Sequence, residues 1–257
     1  MDVRVRRLII AVPAVITLAA IVAVVVLVLL QRQQQAEQVD AADEVAQTYL
    51  ADVSTFRTKT AEAITSVAGD GPAAIAAVVD EQLADPPTLA DAPAHGRENS
   101  LAYHRAEEVE ESLLDPYESL DDVLAEASRG VRFVEAAEKV LKLRPSDYLG
   151  TTSVTSSVPV RATLLPAYER ALSAFDAVAV PKGQEDVAAS VHDAVQYVID
   201  NATTLADRIE VGQSFSFTFD DQYEAAFEAV NGYATKVEGD VAEAISAVPS
   251  GRQGTAA

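Results

Sequence analysis

The sequence predicts an all-α protein: a single N-terminal transmembrane helix followed by an irregular extracytoplasmic helical bundle of about five main helices. Three observations carry this reading. One run of 23 residues near the start is almost wholly apolar. Beyond it, apolar residues recur at spacings of three and four. The one strictly alternating segment, Ser214–Phe219, has no partner strand with which to form a sheet.

The apolar run is Leu8–Leu30, in which only Pro13 and Thr17 are not apolar. As a helix it covers roughly 34 Å, enough for a hydrocarbon layer of about 30 Å. An isolated span must satisfy its own backbone, which leaves the helix as the form it can take. Pro13 lies in the second turn of the run, where a missing N–H costs less than at mid-span. A cleaved leader is the rival reading, but the run is too long, and Gln31-Arg32-Gln33-Gln34-Gln35 follows it where a small-x-small cleavage site belongs. Arg4, Arg6 and Arg7 precede the span and Arg32 follows it. The positive-inside rule therefore places residues 1–7 in the cytoplasm and the remainder outside the cell membrane. The expected division is 1–7 cytoplasmic, 8–30 signal anchor, 31–248 acidic extracytoplasmic helical domain and 249–257 disordered tail.

Residues 31–68 lack Gly and Pro, so a juxtamembrane helix is expected to continue the anchor without a break. Val39, Ala42, Ala46, Tyr49, Val53, Phe56, Thr60, Ala63 and Val67 form a heptad-like stripe on it. One reading packs this stripe on the chain's own domain. The other pairs two copies in a parallel coiled coil, with Ala and Thr as weak knobs. Ala19 and Ala23 form a small-xxx-small pair inside the span, a weak signal in so alanine-rich a run.

Gly69-Asp70-Gly71-Pro72 is a helix stop. A short helix is expected over 73–84, a Pro-rich loop over 85–99, and helix over 100–143 interrupted at Asp115-Pro116 and at Gly130. Arg144–Arg161, with its Thr/Ser/Val-rich centre at 151–159, reads as a solvated loop, with a short strand or an O-linked sugar attachment region as alternatives. Three further helices follow from 3.6-residue stripes: Leu165, Tyr168, Leu172, Phe175, Val178; then Val187, Val191, Ala194, Val198, Ala202, Leu205, Ile209; then Tyr223, Phe227, Val230, Ala234, Val237, Val241, Ile245. The short Val180-Pro181-Lys182-Gly183 link makes the first two antiparallel neighbours. Ser214–Phe219 reads as an extended connector whose phenylalanines can dock on the bundle, with Thr218 and Asp221 resembling a capping box.

Charge narrows the function classes. The 40 Asp and Glu against 19 Lys and Arg give −21, and no basic cluster offers a local exception, so nucleic acid is not an expected partner. Arg outnumbers Lys by 14 to 5 and Ala and Val supply much of the apolar content, a usage resembling high-GC bacterial genomes. No cysteine is present, which removes disulfides, thiolate metal sites, a thiol nucleophile and a lipidated Cys.

Three histidines are the candidates for metal or acid–base chemistry. His95 falls in the Pro-rich loop, His104 near a helix start, and His192 beside Asp193 in a helix. His104 with Glu107 or Glu108 has helical ligand spacing, but a metal needs a further convergent group. No Glu precedes any histidine by three residues, as di-iron bundles require. Glu107, Glu108, Glu110 and Glu111, Asp121-Asp122 and Asp220-Asp221 read as a solvated acidic face. No calcium loop, phosphate loop or nucleophile motif occurs. No catalytic, cofactor-binding or metal-ligating residue is therefore predicted. The expected function is a membrane-tethered interaction or scaffold module of the bacterial cell envelope, with ligand sensing as the alternative. Its expected partners are the bilayer through Leu8–Leu30, another envelope protein, and a second copy through the juxtamembrane helix.

Overall fold

A computed structural model describes the backbone of residues 3–150 and 154–249, and the side chains of residues 26–150 and 154–249. The described residues are helical with no strand, in the order α1 (Val3–Val67), α2 (Pro72–Leu83), α3 (Ala94–Asn99), α4 (Leu101–Glu111), α5 (Asp115–Leu141), α6 (Ser146–Leu149), α7 (Leu165–Asp176), α8 (Glu185–Glu210) and α9 (Asp220–Ala247). The described residues form two compact units: those within 1–61, 82–115 and 249–257 make the first, and those within 62–81 and 116–248 the second.

Among the described residues no helix is long and apolar enough to cross a membrane. Most of the expected span does not enter that statement, because the side chains of residues 8–25, Ala19 and Ala23 included, lie outside the described set. The cytoplasmic segment 1–7, residues 151–153 of the Ser/Thr stretch and residues 250–257 of the tail lie outside it too.

In the first unit, α1 runs unbroken through residues 31–61, as the lack of Gly and Pro predicts. Ala42, Ala46, Tyr49 and Val53 are buried in one apolar cluster with Tyr103 and Ala106 of α4 and Leu113. The heptad-like stripe is thus covered within the chain over these residues. Small side chains let the backbones approach closely: a Cβ on Gly96 would lie 2.1 Å from the Gln38 carbonyl oxygen and 2.9 Å from the Ala42 Cβ. Directional bonds supplement this thin core. Ser100, buried at 1% exposure, caps α4 by accepting from the Tyr103 N–H at 2.9 Å and donates to the Asp43 carboxylate. The Tyr103 hydroxyl donates to the Ala90 carbonyl at 3.1 Å, and Glu110 accepts from the Leu89 N–H at 2.7 Å. The Pro-rich stretch is not all loop, since α3 occupies its last six residues.

In the second unit, a 3₁₀ turn at Ala68–Asp70 and Gly71, at φ +94°, precede α2, which begins on Pro72. The expected interruption at Asp115-Pro116 is real, and α5 starts there. The one expected at Gly130 is not. That glycine is buried inside α5, where a Cβ would come 2.6 Å from the Tyr233 hydroxyl and 2.9 Å from Val237 Cγ2. Its lack of a side chain serves the approach of α9.

Helix α7 is preceded by a π turn at Val160–Leu164, which the sequence reading placed partly in a loop. Pro166 has no N–H to give to Ala162, and the Leu165 N–H reaches back to the Val160 carbonyl, the i→i−5 bond of a π turn. Arg161, ahead of α7, pairs with Asp207 and Glu210 near the end of α8, while Asp176, at the end of α7, meets His192 near the start of α8. The two helices therefore run antiparallel, as the short link predicts.

The core joins Phe133, Leu141, Leu164, Tyr168, Leu172, Phe175, Val191, Val195, Val198, Tyr223, Val230 and Tyr233, among others. Phe133 lies 5.6 Å from the Phe175 ring and 6.0 Å, edge-on, from Tyr233. Residues 214–219 form a connector that is neither helix nor strand, and Phe217 and Phe219 pack on this core. The capping box does not form: the residue preceding α9 is Phe219, and no side chain caps the helix.

Candidate functional site

The C-terminal half of α9 carries Tyr233, Lys236, Val237, Asp240, Glu243, Ala244 and Ala247 at helical spacing, which puts them along one side of the helix. Val123, Glu126 and Ala127 of α5 and Lys182 and Gln184 of the α7–α8 turn complete an open groove of about 420 Å³ within the second unit. Its floor is apolar, from Val123, Ala127, Val237, Ala244 and Ala247. The turn reaches this place because Pro181 is buried and Gly183 takes φ +76°.

The charged groups around the groove are not equivalent. Glu126 is already held by Arg129 one turn along α5, with Nε at 2.9 Å and Nη2 at 2.5 Å. Lys182 and Lys236 form no ion pair among the described residues, and neither do Asp240 and Glu243. Burial, aided by Glu126 and Asp240, raises the Tyr233 phenol above its ordinary range, so it stays a neutral hydrogen-bond donor.

A second polar cluster lies inside the same unit. Arg144 closes the end of α5 by donating to the Leu141 and Leu143 carbonyls at 2.7 and 3.1 Å, and its guanidinium stands 5.5 Å over the Tyr223 ring. Tyr148 meets Tyr168 edge-on at 6.1 Å, and Phe219 meets Tyr223 at 5.0 Å. The Tyr168 and Tyr223 hydroxyls interact with each other but are both buried without a hydrogen bond of good geometry. Burial drives the Tyr168 phenol far up and pushes Tyr223 up to about 12, so both stay protonated at neutral pH.

The residues singled out from the sequence remain dispersed. His104 Nδ1 meets Glu107 at 3.1 Å on the outer face of α4, and that bond raises its pKa. His192 meets Asp176 at 3.1 Å, and His95 contacts Asn99. Glu108, Glu111, Asp121, Asp122, Asp193 and Asp220-Asp221 are exposed, the last pair in the first turn of α9, where carboxylates favour the helix dipole. Among the described residues no group of three or more His, Asp and Glu could hold a metal ion. The groove residues went unseen in the sequence because three distant segments build it, although Lys236 beside core Val237 was a visible sign.

No protein-family model, curated protein or solved structure matches this chain.

Proposed function

We propose that this chain is a membrane-tethered helical module of the bacterial cell envelope, anchored through Leu8–Leu30 with its N-terminus in the cytoplasm. Its acidic extracytoplasmic domain acts by binding and carries no catalysis of its own. The observation that supports the tether most is the run Val26–Leu30, whose five residues are 47, 65, 45, 59 and 52% exposed. Successive helix residues turn by about 100°, so five in a row face every direction. A single protein surface could cover one side of such a helix, whereas lipid covers all of it. Among the described residues, the other large exposed apolar side chains, Leu101, Val158, Val180 and Val211, are scattered singly.

The membrane-proximal face Ala42–Val53 is used within the chain, which favours the one-chain reading over a coiled coil. An envelope protein partner, or a second copy, is therefore met on another surface. Alkaline extraction of membranes from cells expressing the full chain tests the tether: the protein stays with the bilayer, and its release into the wash would reject the proposal.

The groove supports a second reading, that the domain senses a small molecule. On that reading the signal passes to another membrane protein.

A further inference from the structure

We infer that the groove between α5, the α7–α8 turn and α9 takes a small zwitterion with an apolar body, of the class of a short apolar peptide. This deepens the ligand-sensing reading and rests on it. Size comes first. About 420 Å³ holds roughly 14 water volumes of ~30 Å³ each, which places the groove at the scale of a dipeptide rather than a protein helix.

Charge comes second. The chain as a whole has two acids per base, but the unpaired charges of the groove balance: Lys182 and Lys236 against Asp240 and Glu243, with Glu126 neutralised by Arg129. The two lysines are two of only five in the sequence. In so acidic a protein, an apolar anion is repelled by the overall field and a simple cation finds carboxylates on every face. A ligand with one charge of each sign gains from this place specifically. Its carboxylate is met by the two ammonium groups and the neutral Tyr233 hydroxyl, its ammonium by Asp240 and Glu243, and its body by Val123, Ala127, Val237 and Ala244.

The test uses the full chain in lipid nanodiscs, with leucyl-leucine, its N-acetyl form, its C-terminal amide and the doubly blocked form titrated by calorimetry. The free dipeptide binds and raises the unfolding midpoint, and each blocked form binds at least about tenfold more weakly, an order set by the loss of one charged contact. K182Q/K236Q weakens the free dipeptide by a similar factor. Ala244→Phe, which fills the floor, abolishes binding while helicity by circular dichroism is retained. If all four compounds bind alike and Ala244→Phe removes them all, the zwitterion class is wrong while a groove ligand stands. If none binds, or Ala244→Phe leaves binding intact, the ligand reading falls with it.

Discussion

The buried cluster of the first unit joins Ala42, Ala46, Tyr49 and Val53 of α1 to Tyr103 and Ala106 of α4 and to Leu113, with Gly96 of α3 set bare against the Gln38 carbonyl; the larger cluster of the second unit joins Phe133, Tyr168, Phe175, Val198, Tyr223 and Tyr233, among others. The first unit therefore depends on close approach and on directional bonds such as Ser100 to Asp43. The second depends on the larger apolar volume of its core, while buried tyrosine hydroxyls without a good hydrogen bond occur in both, Tyr49 in the first and Tyr168 and Tyr223 in the second. Two ways of holding helices together coexist on one polypeptide. The lean one belongs to the stretch that leaves the expected membrane span, and the bulky one to the part that carries the groove.

The largest expected effect separates the two directly. Phe133→Ala removes a fully buried ring from the second core and costs about 3–5 kcal/mol. Hydrogen exchange then shows amides of α7, α8 and α9 losing protection while those of residues 42–53 keep theirs. Equal loss in both would end the description of two units. Next come the paired glycines. Gly96→Ala forces a Cβ against the backbone carbonyl of Gln38 and costs about 2–3 kcal/mol in thermal unfolding. Gly130→Ala meets only side-chain ends of Tyr233 and Val237 and gains helix propensity, so it costs under about 1 kcal/mol. A reversed order would contradict the contrast between rigid and yielding contacts. Ser100→Ala removes a cap and the Asp43 bond and lowers stability by about 1–2 kcal/mol, seen in urea unfolding.

The smallest effects are electrostatic and of opposite sign. Arg161 holds the Glu210 carboxyl below its ordinary range, with Ser157 assisting. A depressed folded value stabilises above the unfolded pKa and is lost as pH falls through the folded one. In the first unit, Glu107 raises His104 above the ordinary imidazole range. That contribution is present below the unfolded value and lost as pH rises through the raised one. Both groups are exposed, so Arg161→Gln and His104→Gln should each change Tm by on the order of 1 °C. The Arg161→Gln difference closes on the acidic side and the His104→Gln difference on the basic side. Melting scans across pH check the two slopes.

Much of this architecture was legible in the chain, and the misses have physical causes. Helices α7, α8 and α9 follow from 3.6-residue stripes; in α9 Tyr223, Val230 and Val237 of the stripe are buried, but the other buried positions are Ala226 and Tyr233, one residue before Phe227 and Ala234. Gly130 looked like a break because propensity is local, while its reason is a neighbour about a hundred residues away. Helix α3 hid among prolines, since Ala94–Asn99 is too short to show a period. Thr218 matched a capping pattern, but the chain enters α9 one residue later. The groove was illegible for the same reason as Gly130, because Val123, Lys182 and Lys236 become neighbours only after folding.

In the proposed arrangement an apolar helix near the start stays in the bilayer and holds the acidic domain outside. Because the chain has no cysteine, single Ala51→Cys, Ala242→Cys and Asp2→Cys variants give unambiguous targets for a membrane-impermeant maleimide. In intact cells the account predicts labelling at positions 51 and 242 and none at position 2 until the cells are opened. Labelling of 51 and 242 only after lysis would contradict it.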